Sequence, residues 1–89
     1  MQNDYVRIDM ALIDGFKGTL KLTGTSLDFS SRKGKPFTMS LSEMKKIAFR
    51  KTSMTTSTLF VGDKEITVCR AHLWAADMKK LTGIEPESL

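Results

Sequence analysis

Gly18-Thr19-Leu20-Lys21-Leu22-Thr23-Gly24-Thr25-Ser26-Leu27-Asp28-Phe29 places apolar side chains two residues apart on either side of a glycine-containing turn. Side chains alternate between the faces of an extended strand, so Leu20 and Leu22 share one face, and Leu27 and Phe29 share one on the returning strand. Gly24-Thr25 suits the reversal between them. The stretch predicts a β-hairpin with one wet and one dry face, and such a hairpin needs further strands to bury the dry one.

Those strands are legible on both sides. Upstream, residues 5–13 alternate Val6, Ile8 and Met10 with Arg7 and Asp9, which predicts a strand whose buried face carries Val6, Ile8 and Met10. Asp14-Gly15 turns the chain into a strand over 16–23, and the quoted hairpin continues it through 26–31. Arg32-Lys33-Gly34-Lys35 is a basic turn into a strand over 36–41, where Pro36 fits the first strand position. Over 44–51, Ile47 and Phe49 share the apolar face while Lys46, Ala48 and Arg50 share the other. Residues 52–58 are rich in small hydroxyls and predict a loop or weak edge strand. Strands over 57–61 and 65–70 flank Gly62-Asp63, a favoured hairpin turn.

After Arg70 the period changes to that of a helix over 71–82. Its apolar side gathers Ala71, Trp74, Met78 and Leu81 and its polar side His72, Ala76 and Lys79. Gly83 stops it, Pro86 forbids its continuation, and 83–89 is a short tail. Short connections exclude parallel crossovers, which need about a dozen residues. The fold class is therefore mainly β: seven antiparallel strands in two bent sheets forming a partly open barrel, capped by one C-terminal helix anchored by Trp74.

The 89 residues fit a single domain, 1–89, whose core forms by burying about 60 to 65% of the unfolded surface. Asp4, Arg7, Asp9 and Asp14 interrupt any apolar run that a signal peptide or membrane helix would need. Cys69 is the sole cysteine, so no intrachain disulfide forms. The expected location is the cytoplasm, with peripheral membrane attachment as a variant.

Seven strands and a terminal helix is the order of the pleckstrin-homology superfold. Within it, Gly18-x-Leu20-x-Leu22-Thr23-x-x-x-Leu27-x-Phe29-x-Ser31 resembles the GRAM branch, in a small stand-alone version of a bacterial or phage kind. Phe37 to Leu41 followed by Ser42-Glu43-Met44-Lys45-Lys46-Ile47 is similar to a later strand and corner of that family. The likeness spans roughly residues 5 to 82. It implies a binding module for a protein partner or anionic lipid head groups, not an enzyme. The phosphoinositide signature of pleckstrin-homology domains is missing from the first hairpin, so no family ligand residue is carried over by position.

The net charge is +4, and its excess lies in residues 32–51, where seven cations face Glu43 alone. Arg32, Lys33, Lys35, Lys46 and Arg50 are the candidate contacts for an anionic partner. Three or four such cations on one plane would give about 3 to 4 kcal/mol at an anionic membrane, a weak and salt-sensitive attachment.

Rival chemistries have less behind them. Cys69 and His72 are close in sequence at the strand-to-helix junction, but no third orienting group accompanies them, so no catalytic residue is assigned. One His and one Cys do not complete a metal set, and no strand-to-helix phosphate loop is present, so no metal or cofactor is expected. Single-stranded nucleic acid is the alternative for the basic block, although Phe29, Phe37 and Phe49 fall on the core parity and leave Phe16 and Phe60 as the stacking candidates. A homo-oligomer is the last alternative, through an edge strand near 52–58 or through Met54 and Phe60.

Overall fold

Asp14 and Gly15 both take positive φ, 54° and 82°, the geometry of a two-residue type I′ hairpin turn. They join β1 (Arg7–Ile13) to β2 (Phe16–Leu22), with Ile13 opposite Phe16. The next reversal rests on a side chain: the Thr23 hydroxyl accepts hydrogen bonds from the Thr25 and Ser26 amides at 3.2 and 3.0 Å. That closes β2 onto β3 (Ser26–Ser31), which pairs in turn with β4 (Phe37–Ser40). These details come from a computed structural model, which describes residues 6–52 and 56–89.

A single 3-10 turn, Leu41–Glu43, leads into β5 (Ile47–Lys51). There follow β6 (Ser57–Val61), β7 (Lys64–Val68), α1 (Ala71–Thr82) and β8 (Glu87–Ser88). The hydrogen-bonded order is β4-β3-β2-β1-β7-β6-β5-β8 in one sheet. Its two four-stranded halves meet where Leu12 of β1 stands opposite Thr67 of β7. The expected pair of bent sheets is therefore one continuous sheet with a narrow seam. Curling brings the β4 edge toward the β6–β7 turn: Lys64 Nζ lies 5.2 Å from the centre of the Phe37 ring.

Seven strands and the helix stand where the sequence predicts, to within a few residues. The addition is β8, which lies parallel to β5 with Ala48 beside Glu87 and Phe49 beside Ser88. The Leu89 amide donates to the Phe49 carbonyl at 2.8 Å. Glu87 and Ser88 carry no apolar alternation, so nothing local in the tail announces a strand. The sheet ends at β4 and β8 and does not close. β6 lies between β5 and β7, which overturns the expectation of an edge near residues 52–58; Met54, named there as an association contact, falls outside the described residues.

The core forms between the inner sheet face and α1. Leu20, Leu22, Leu27, Phe29, Ile47, Leu59, Val61 and Ile66 are buried under Ala71, Trp74, Ala75 and Met78 of the helix. Trp74 has no exposed surface, as its role of anchor requires. Gly83 ends the helix in the left-handed region at φ 79°, its amide donating to the Lys79 carbonyl. Leu81 departs from expectation and stays partly exposed in the last turn.

The larger correction concerns β1. The face expected to be buried, with Val6, Ile8 and Met10, is the exposed one, and Asp9, Ala11 and Ile13 turn inward. Register explains it: Ala11 pairs with Gly18 and Asp9 with Leu20, so this parity shares a face with the buried leucines. Arg7 is accommodated on the same side by an ion pair from its Nε to Asp77 of α1 at 2.6 Å.

Gly18 sits under the Phe29 ring, and a Cβ there would lie 2.3 Å from the Ser30 carbonyl oxygen and 2.6 Å from the ring. Gly18→Ala is expected to lower stability by about 1–3 kcal/mol, because backbone on one side and a core ring on the other must both move. A urea melt with an unchanged midpoint would contradict this packing.

Candidate functional site

The five candidate cations do not form one set. Arg32, Lys33 and Lys35 occupy the turn between β3 and β4, whereas Lys46 and Arg50 belong to β5 or its approach, in the other half of the sheet order. Lys46 pairs with Glu87 at 3.1 Å, and the Arg50 guanidinium lies 5.4 Å from the centre of the Phe60 ring. Phe60 is thereby partly covered, which removes it as a bare stacking platform. Arg32, Lys33 and Lys35 have no ion-pair partner among the described residues.

The basic turn is held in place by specific contacts. Ser31 Oγ donates to the Lys17 carbonyl at 2.7 Å and accepts from the Gly34 amide at 2.9 Å, tying the turn to β2. Gly34 packs against Phe16, where a Cβ would come within 2.7 Å of the Phe16 Cβ. Phe16 itself remains 44% exposed at the end of the β1–β2 hairpin. The turn carrying Arg32, Lys33 and Lys35 is thus packed through Gly34 against Phe16 and tied to the backbone of Lys17, whose side chain lies on the opposite, outer face of β2.

A second surface lies on the outside of the sheet. Val6, Ile8, Met10 and Leu12 follow one another with period two along the exposed side of β1, each between 40 and 59% exposed. Beside this ridge, the outer face of β2 carries Lys17, Thr19 and Lys21, and that of β3 carries Asp28 and Ser30. Two shallow depressions run along β2. One, about 680 Å³, is lined by Ile8, Thr19, Lys21, Asp28 and Thr38 among others. The other, about 440 Å³, includes Met10, Lys17, Ser30 and Arg32.

Sequence reasoning placed the basic turn and named Phe16 as an aromatic off the core, but missed that Phe16 and Lys17 adjoin the turn and missed the ridge. Phe16 shares the parity of Leu20 and Leu22 and is exposed because it stands at the hairpin end of β2, beyond the core. The ridge was hidden because an alternating apolar strand looks the same whether its apolar side faces a core or a partner.

Cys69 and His72 are both exposed, and no hydrogen bond joins them among the described residues. Among the described residues no three His, Cys, Asp or Glu side chains converge, and no helix is long and apolar enough to cross a membrane.

No protein-family model and no curated protein sequence matches the chain. Among solved structures, the chain is similar to one described as the structure of the Spt16D Pob3N heterodimer, with a TM-score of 0.68 and 13% identity. The alignment covers 94% of this chain and 55% of that one, so this chain spans about half the length of its neighbour. At that identity the likeness concerns the fold, which is pleckstrin-homology-like.

Because Ile8 and Met10 contribute little to the core, Ile8→Thr and Met10→Thr are each expected to change stability by no more than about 0.5 kcal/mol. Leu20→Ala, on the inner face, should cost about 2–5 kcal/mol. Comparable losses for all three in chemical denaturation would return the β1 ridge to the core.

Proposed function

We propose that this chain is a non-catalytic protein-interaction module that meets an acidic partner through the basic turn between β3 and β4. The observation that carries the reading is the seating of that turn. Ser31 and Gly34 seat the turn that carries Arg32, Lys33 and Lys35 on the backbone of Lys17 and against the partly exposed Phe16. Aromatic and arginine side chains together are the composition that interface cores favour, and clustered cations steer an acidic partner into contact.

Two considerations favour a protein over a bilayer. Four cations at about 1 kcal/mol each give only about millimolar attachment to an anionic membrane. A neighbour in fold is described as part of a heterodimer, which supports protein recognition as a use of this architecture. The resemblance of Gly18 to Phe29 to the GRAM branch supports the same broad class, a small binding domain. Lys46 and Arg50 are secondary in this reading, since Glu87 and Phe60 already engage them. This reading assigns no catalytic role to the exposed Cys69 and His72, which share no hydrogen bond among the described residues.

The test uses the intact chain with three probes: a glutamate-rich peptide, phosphatidylcholine–phosphatidylglycerol vesicles and single-stranded DNA, each at low and high salt. The acidic peptide is expected to bind, and joint reversal of Arg32→Glu, Lys33→Glu and Lys35→Glu should weaken it by about tenfold or more. Lys46→Glu with Arg50→Glu should change it by less than about threefold. Binding confined to vesicles would assign the turn to a membrane surface, and DNA binding with a steep salt slope would assign it to nucleic acid. Either outcome, or acidic-peptide binding that ignores the turn, defeats the reading.

A further inference from the structure

We propose that the outer face of β1 and β2 is the seat of an amphipathic helix, apolar on one side and acidic along one flank, contributed by a different protein. This rests on the protein-binding reading above but concerns a separate surface. The starting observation is the inversion of β1, whose apolar side chains Val6, Ile8, Met10 and Leu12 face outward while Arg7, Asp9 and Ala11 face in. A contiguous apolar ridge on a central strand marks a surface that is covered in use.

Charge and dimensions identify what covers it. On the β2 side the ridge is bordered by Lys17 and Lys21, with Arg32 at the end of the adjoining depression and Asp28 the one carboxylate among the residues lining the two depressions. On the β7 side Thr67 stands opposite Leu12, and the same antiparallel register carries Cys69 toward Met10 and Glu65 past the Leu12 end of the ridge. The ridge is therefore cationic along one flank and not the other. An anionic bilayer laid on the ridge would find cations along one flank only. A helix is about 10 Å wide and spans two strands spaced about 4.8 Å apart, so it can cover the ridge and the lysine row together.

The spacing also agrees. Alternate residues of a strand are about 6.6 Å apart, and helix positions four residues apart rise by about 6 Å. Apolar residues at i, i+4 and i+8 would thus follow Ile8, Met10 and Leu12 in turn, with carboxylates on the next stripe reaching Lys21 and Lys17. A second copy of this chain does not offer such a helix. The exposed side of α1 carries His72, Ala76, Lys79 and Lys80, which would set lysine against lysine.

The probe is a synthetic helical peptide of about 14 residues, with leucines at i, i+4 and i+8 and glutamates along one flank, titrated into the intact chain and followed by amide chemical shifts. Binding at about micromolar affinity is expected, with shifts on Ile8, Met10, Leu12, Lys17 and Lys21. Met10→Asp should weaken it by about tenfold or more without lowering the melting temperature. Lys17→Glu with Lys21→Glu should do the same for the acidic peptide and improve binding of a lysine-flanked version. The proposal is overturned by no binding, by equal binding of a sequence-scrambled peptide, or by shifts confined to the Arg32–Lys35 turn. Vesicle binding or self-association that Met10→Asp abolishes would likewise overturn it, assigning the ridge to lipid or to a second copy. Charge reversal of the turn alone tests only the earlier reading, so the two can fail separately.

Discussion

The pairing of Ala11 with Gly18 governs this molecule. Two strands can lie with a core aromatic ring directly on their backbone only where side chains are small, and Gly18 lies against the Phe29 ring with no room for a Cβ. That approach fixes the register of β1 on β2, and register in a half-buried sheet decides the face of every side chain at once. Leu20 and Leu22 go inward, and with them Asp9, Ala11 and Ile13. The apolar set of β1 is left outside. Sliding β1 by one residue would bury Ile8 and Met10, but would bring larger side chains toward Phe29.

The inward parity of β1 also explains the bond between the sheet and the helix. A charged Arg7 on the core side is costly unless paired, and Asp77 meets its guanidinium at the rim of the barrel, where both side chains keep some contact with water. Partial solvation moderates desolvation on both sides while the short contact retains directional strength. The pair ties the first strand to the last helix across 70 residues of sequence. Trp74 fills the centre of the same interface, so apolar burial supplies the cohesion and the ion pair sets the position of the helix against β1.

Most of the architecture was legible because it depends on local chemistry. Asp14-Gly15, Gly62-Asp63 and Gly83 mark turns and a helix end through conformations that few other residues adopt, and each lies where the sequence predicts. The alternation from Leu20 to Phe29 is likewise realised as buried side chains on one face. What escaped is non-local. The orientation of β1 depends on a partner strand and a distant ring. β8 depends on the free edge of β5, since Glu87 and Ser88 acquire strand geometry only by pairing with Ala48 and Phe49. For the candidate surface, charge counting found the basic turn, but the sequence could not separate it from Lys46 and Arg50, which the chain places on a different part of the sheet.

That separation bears on how the surface works. A block of seven cations in sequence suggests a single electrostatic face, yet folding distributes it according to the neighbours available. Lys46 meets Glu87 on the strand that closes the β5 edge, and Arg50 lies over Phe60, so both contribute to the local structure around β5. Arg32, Lys33 and Lys35 have no such ion-pair partner among the described residues, and their turn lies at the end of β2 where Phe16 is exposed and the apolar ridge of β1 ends at Leu12. Lys17 borders both surfaces, its carbonyl holding the turn through Ser31 and its side chain flanking the ridge. Cations at this end would draw an acidic partner by long-range attraction. The ridge would then supply the short-range apolar contact that electrostatics in water lacks.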